Sequence, residues 1–147
     1  MALYDWAKDA IALAAATAKT VVEVQTASTD RVKVKEIFVG FDGVNAAAVP
    51  VLVELLRGGA GITGTTLAAT ARDPADGAHS CTIKHTATAE GSPTAASGST
   101  WRIPPTGFLY LQVPLGNEWV IGVSGFWRIR LTAAAIVNAT VGLLLEE

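Results

Sequence analysis

The chain has 147 residues, 50 % of them hydrophobic and only 16 % charged, with a formal net charge of -2. That length suits one domain, able to bury about 68 to 70 % of the surface its unfolded form exposes. Scattered Lys and Arg exclude a basic nucleic-acid stripe, and a lone Cys81 excludes an intrachain disulfide or a multi-cysteine metal site. No apolar run nears the roughly 18 to 20 residues of a membrane span, so a soluble or particle-bound protein is expected. With so few charges to cover the surface, part of the apolar area is expected to be covered by partner molecules.

Residues 1–19 read as an N-terminal arm, helical or extended, ahead of a single domain over 20–147. Alanine-rich composition favours a helix carrying Leu3, Ala7, Ala10, Ile11 and Ala14 on one face. Alternation of Ile11 and Leu13 with small residues supports a strand almost as well, and Tyr4 and Trp6 fit neither pattern. They belong to a frayed end or to an arm that anchors on a neighbouring subunit through its aromatics. Asp5 and Asp9 beside Lys8, followed by a short alanine run, do not make a secretory signal.

From Thr20 onward, strand follows strand. Val22 and Val24 alternate with more polar neighbours, and Arg31 to Arg57 reads as a long β-hairpin turning at Asp42 and Gly43, with Pro50 at the start of its second arm. In the first arm the apolar phase slips from Val32 and Val34 to Ile37, Val39 and Phe41. One buried face survives such a slip only if Lys35 and Glu36 form a bulge. Further short strands are expected at Thr66–Thr70, around Cys81 to Thr88, at Phe108–Val113, through Trp119 to Val123, through Trp127 to Leu131, and at Asn138–Leu145. The Gly, Ser, Pro and Thr cluster from Gly91 to Thr100 reads as a surface loop. The expected fold is all-β: an antiparallel two-sheet sandwich of jelly-roll or Greek-key type with about eight strands.

Chemical motifs are sparse. Gly59, Gly61 and Gly64 match the spacing of a dinucleotide-binding loop, but Thr65, Thr66 and Pro74 deny the helix that such a site requires. His79, Cys81 and His85 share a parity, yet Cys81 and His85 would lie about 13 Å apart along a strand, too far for one zinc ion. Glu54 sits in an apolar strand and is expected to pair with Arg128 or Arg130 rather than act as an acid. Ser124 lacks a nucleophile-elbow frame, and Asn138-Ala139-Thr140 is read as a chance match to a glycosylation acceptor. Trp101 and Arg102, beside the polar cluster, could be a glycan platform or an interface anchor. No catalytic residue, cofactor or metal site is predicted, and the chain is read as a non-enzyme. Its candidate interface residues are Tyr4, Trp6, Ile11, Leu13, Trp101 and Arg102.

Several short stretches resemble a known group. Ala15, Thr17, Ala18, Lys19 and Thr20 lead into a valine strand; Phe41-Asp42-Gly43 precedes Val49-Pro50-Val51 and Val53-Glu54-Leu55; Pro114-Leu115-Gly116, Arg130, Thr132-Ala133 and Val137-Asn138 follow. This series resembles the head decoration, or cement, proteins of tailed bacteriophages. The resemblance implies a β-sandwich subunit, usually trimeric, made in the host cytoplasm and placed on the capsid surface of the virion. Its partners would be the major capsid protein and further copies of itself, with no nucleic acid and no membrane. The alternative is a host-binding or carbohydrate-binding module on a tail or fibre, using Trp101, Trp119 or Trp127 beside polar loops.

Overall fold

The computed structural model describes residues 1–45, 47–92 and 95–147, leaving the side chains of 95–98 aside. Its strands are β1 (Leu3–Leu13), β2 (Ala18–Gln25), β3 (Val32–Phe41), β4 (Val51–Arg57), β5 (Thr63–Thr66), β6 (Thr70–Ala71), β7 (Thr82–Ala89), β8 (Ala95–Ile103), β9 (Phe108–Gln112), β10 (Trp119–Ile121), β11 (Phe126–Thr132) and β12 (Val137–Glu146). They form two antiparallel six-stranded sheets. The first runs β10-β3-β12-β1-β6, with β9 sharing the β10 edge of β3; the second runs β5-β7-β2-β11-β4-β8. None of these pairings joins strands consecutive in the chain, so the links skip a strand or cross between sheets, as in jelly rolls. Twelve described strands replace the expected eight.

Period-two alternation builds the core. Val32, Val34, Ile37 and Val39 of β3 and Val141, Leu143 and Leu145 of β12 face Val22, Val24, Val53, Leu55, Ile129 and Leu131 of the other sheet, all buried. Each such side chain contributes about 1.5 to 3 kcal/mol on leaving water. The phase slip in β3 is accommodated as expected. Leu144 pairs with Glu36 and Leu145 with Val34, which leaves Lys35 as the extra residue of a bulge.

The N-terminal segment is not an arm. β1 lies between β12 and β6, and Tyr4, Trp6, Ile11 and Leu13 are core residues at 5, 3, 1 and 1 % exposure. They have little surface to offer a neighbouring subunit. The inward residues change parity between Trp6 and Ile11 because the register with β12 shifts between Lys8 and Ile11, where Ala10 takes a φ of 53°. That bulge joins two half-patterns that look unrelated in the sequence. Asp9 accepts from the Ala10 amide and from the Thr140 hydroxyl, holding the bulge. The ring polar groups are satisfied: Trp6 Nε1 donates to Leu67 O at 3.0 Å and Tyr4 Oη to Gly77 O at 3.1 Å. Residues 1–19 therefore belong to the same sandwich as 20–147.

Three further expectations are corrected. Val32–Phe41 and Val51–Arg57 do not pair as a hairpin: β3 lies in the first sheet and β4 in the second, so the chain between them crosses the core edge. Ala95–Ile103 is an edge strand on β4 rather than part of a surface loop, with Pro93 and Thr94 outside the described residues. The strand expected over Thr66–Thr70 is instead Thr63–Thr66 on β7 and Thr70–Ala71 on β1.

Candidate functional site

The outer face of the first sheet carries an aromatic shelf. Register sets it row by row. Tyr110 stands opposite Phe38, Phe38 opposite Gly142, and Gly142 opposite Ala7, so one row across four strands reads large, large, none, small. The adjoining row is Gln112, Glu36, Leu144, Asp5 and Thr70. Phe108, opposite Gly40, stacks on Phe38 with centroids 6.0 Å apart and planes at 27°. Gly142, without a side chain, keeps the floor low beside Phe38, while Gly40 lets the Phe38 ring lie against the backbone, 3.0 Å from where a Cβ would stand. The resulting hollow measures about 440 Å³ and is lined by Asp5, Ala7, Glu36, Phe38, Tyr110 and Gly142, among others. Phe108 and Tyr110 are 67 and 52 % exposed.

Planar polar groups rim these rings. Tyr110 Oη donates to Glu36 Oε2 at 3.0 Å and Gln112 Nε2 to Glu36 Oε1 at 3.1 Å. Arg72 donates through Nε and Nη2 to the two Asp5 carboxylate oxygens at 2.7 and 2.9 Å. The Glu36 hydrogen bond, followed by burial, raises the Tyr110 phenol above its ordinary value. Arg72 is raised mainly by Asp5, with smaller influences from Glu36 and Tyr110.

A second open surface lies at one end of the sandwich. Val44 and Val49, from the crossing loop, and Ile136, from the β11–β12 link, are exposed at 98, 60 and 82 %. They surround a smaller hollow of about 230 Å³ together with Pro105, Ala134 and Ala135. Among the described residues no charged side chain lines it.

On the outer face of the second sheet one patch is closed instead. Gly58 to Ile62 straps over Glu23 of β2 and Arg128 of β11, which pair at 3.0 Å with side chains essentially inaccessible. Arg128 Nη2 donates to the carbonyls of Gly58 and Ala60, and both Glu23 oxygens accept from the Ile62 amide. Burial is the largest influence on both, raising the Glu23 carboxyl and lowering the Arg128 guanidinium. Arg128 Nε and Nη1 are buried without an acceptor among the described residues. Gly59, Gly61 and Gly64 thus belong to a packed strap and the strand after it. A side chain at Gly61 would meet Phe126 at 2.8 Å, and one at Gly64 the His85 carbonyl at 2.6 Å.

The structure disperses the sequence-predicted site residues. Tyr4, Trp6, Ile11 and Leu13 lie in the core. Trp101 points inward from β8, opposite Val53, and packs against the core, whereas Arg102 beside it is exposed. Trp119 packs on buried Trp127 with centroids 6.3 Å apart, so the tryptophans form no open platform. Glu54 pairs with Arg130 at 3.0 Å; Arg128 belongs to Glu23. His79 accepts from the Ala69 amide through Nε2 and lies 2.7 Å through Nδ1 from the Cys81 carbonyl, an arrangement that fixes the ring in place. Burial pushes the Cys81 thiol up to about 12, far from a reactive thiolate. Among the described residues no three His, Cys, Asp or Glu side chains converge to hold a metal ion. The shelf was missed because Phe108 and Tyr110 alternate with Leu109 and Leu111, leaving both parities apolar. The parity shared by Phe108, Tyr110 and Gln112 was the available signal.

Comparison with family models finds none that matches this chain, and comparison with curated proteins finds no match. Among solved structures, the crystal structure of the Yersinia pseudotuberculosis-derived mitogen is similar at 9 % identity, with 96 % of this chain and 83 % of that one covered and a TM-score of 0.36. So loose an overlap does not bear on what the protein does.

Proposed function

We propose that this chain is a non-enzymatic structural subunit that decorates and cements an assembled bacteriophage head. The observation carrying the reading is the apolar hollow at one end of the sandwich, where Val44, Val49 and Ile136 are open to solvent in a protein with few charges overall. Exposed apolar groups gathered around a hollow mark a contact surface more often than chance. The sequence resemblance to head decoration proteins supplies the partner class: the major capsid protein, contacted by a homotrimer.

The physics of cementing asks little of each contact. A protein that binds the assembled shell and not its free subunits stabilises the shell by mass action. A stable interface of about 1,200 to 2,000 Å² suffices for specific binding, and three linked copies multiply weak contacts through effective concentration. A rigid sandwich suits this work because its contact end loses little conformational freedom on docking.

The test uses particles that lack the protein. Adding back the native chain should restore resistance to heat, and the Val49→Asp/Ile136→Asp double variant, folded by circular dichroism, should fail to attach. Mass measurement in solution should give a trimer. Particles with unchanged heat resistance when the protein is absent would defeat the reading.

A further inference from the structure

We propose that the aromatic shelf on the first sheet is a binding site for a neutral, β-linked, gluco-configured pyranose chain. The site is separate from the apolar end, and the inference stands whether or not the subunit sits on a phage head.

The shelf combines two features that few other ligands satisfy together. Phe108 and Tyr110 are exposed rings, with Phe38 stacked on Phe108, and the negative quadrupole of an aromatic ring face attracts the slightly positive C–H groups of an apolar face. Glu36 and Asp5 line the hollow with carboxylate edges, and Gln112 and Arg72, hydrogen-bonded to them, add amide and guanidinium edges beside it. A pyranose has an apolar C–H face and a rim of hydroxyls. Each hydroxyl both donates and accepts, so it can pair with carboxylate oxygens and with amide or guanidinium N–H groups. In the gluco series the hydroxyls are equatorial, which leaves the ring faces flat and free for stacking.

Other occupants fit worse. A lipid or apolar peptide would strip water from Asp5, Arg72 and Glu36 without replacing its hydrogen bonds. Protein interfaces are depleted of charged residues at their core, where this hollow has them. An anionic ligand would meet Asp5 and Glu36, with Arg72 already engaged by Asp5. β3 and β12 are hydrogen-bonded on both sides along these rows, so the floor of the hollow offers a ligand no main-chain pairing. Recognition therefore falls to side chains, and the hollow of about 440 Å³ lies within the range of small-ligand sites.

Calorimetric titration of the isolated protein with cellohexaose and with chitohexaose tests this, with maltohexaose as the α-linked comparison. Binding of the β-linked chains is expected, with Kd at least tenfold weaker in Phe108→Ala and in Tyr110→Ala. Leu115→Ala, at an exposed position outside that hollow, should leave it unchanged, and all three variants should keep the native melting temperature. No heat from either β-linked chain at millimolar concentration would overturn the proposal. So would equal binding of maltohexaose, binding undiminished in Phe108→Ala, or rings found instead to hold two copies together by sedimentation. Because no particle is involved, failure here leaves the decoration reading untouched, and failure of that reading leaves this one standing.

Discussion

Two ion pairs, one on each outer face of the sandwich, differ in how they are covered. On the second sheet, Glu23 and Arg128 are sealed beneath the strap from Gly58 to Ile62. On the first, Asp5 and Arg72 form a pair of similar length with side chains about half exposed, beside open aromatic rings. Cover, rather than distance, separates them. A sealed pair has lost its hydration, so each partner depends on the other, whereas an open pair can return to water at little cost. The strapped patch is built for rigidity, and the shelf keeps its polar groups available.

The largest effect should come from breaking the sealed pair. Glu23→Ala leaves a buried guanidinium without its carboxylate and is expected to cost about 3 to 5 kcal/mol in chemical denaturation. The double variant Glu23→Leu/Arg128→Met should be more stable than Glu23→Ala, since it removes both desolvated charges together. A double variant no better than the single would mean that the strap carbonyls, and not the ion pair, carry the stability.

Next in size is the strap itself. A side chain at Gly91 would fall 2.0 Å from the Ala60 carbonyl oxygen. Gly91→Ala should therefore cost about 1 to 3 kcal/mol by overpacking, and it should speed amide exchange at Ile62 by loosening the strap.

Acid should act on the first sheet through carboxylates held by lysines and by hydrogen bonds. Lys33 and Lys35 hold Glu146 below the ordinary glutamate range, and a backbone hydrogen bond together with Lys35 does the same for Glu118. Hydrogen bonds from Asn138 lower Asp42. For carboxyls depressed in the folded state, the stabilisation is complete above their unfolded values of about 3.9 to 4.3 and is lost as pH falls through the folded ones. The denaturant midpoint should thus decline below about pH 4, and Lys35→Met should flatten that decline. An acid limb unchanged in Lys35→Met would remove the lysine cluster from the account.

The smallest effect belongs to the open face. Asp5→Asn should leave the denaturant midpoint within error, because exposed pairs contribute little. A clear loss there would mean that the shelf rim is structural, which would narrow the difference between the two faces.

Much of the sandwich was legible in the sequence because inward residues repeat every second position. The slip from Val34 to Ile37 even located the bulge at Lys35. β1 was illegible for a related reason: with Ala10 inserted, Tyr4 and Trp6 lie out of phase with Ile11 and Leu13, and alanines between them imitate a helix. Alternation also says nothing about which sheet a strand joins, so Val32–Phe41 and Val51–Arg57 read as partners although they lie in opposite layers. Glu54 could be matched with Arg130 from neighbouring strands, but Glu23 gave no sign of burial, since its cover comes from a loop some forty positions away, as the Ile62 bond shows at a separation of 39. The aromatic shelf depends on Phe38 and Tyr110 meeting across β3 and β9, a register that no local pattern encodes.

β12 is the last of these strands to leave the ribosome, yet it occupies the middle of the first sheet, flanked by β3 and β1. Until it arrives, those two strands have no common partner and their inner edges stay unsatisfied, a template for unwanted pairing with other chains. Non-local pairings of this kind also fold slowly, on the order of milliseconds to seconds. Synthesis therefore delivers this keystone after all the strands it joins, and a nascent chain stalled before it would be an aggregation hazard rather than a smaller working domain.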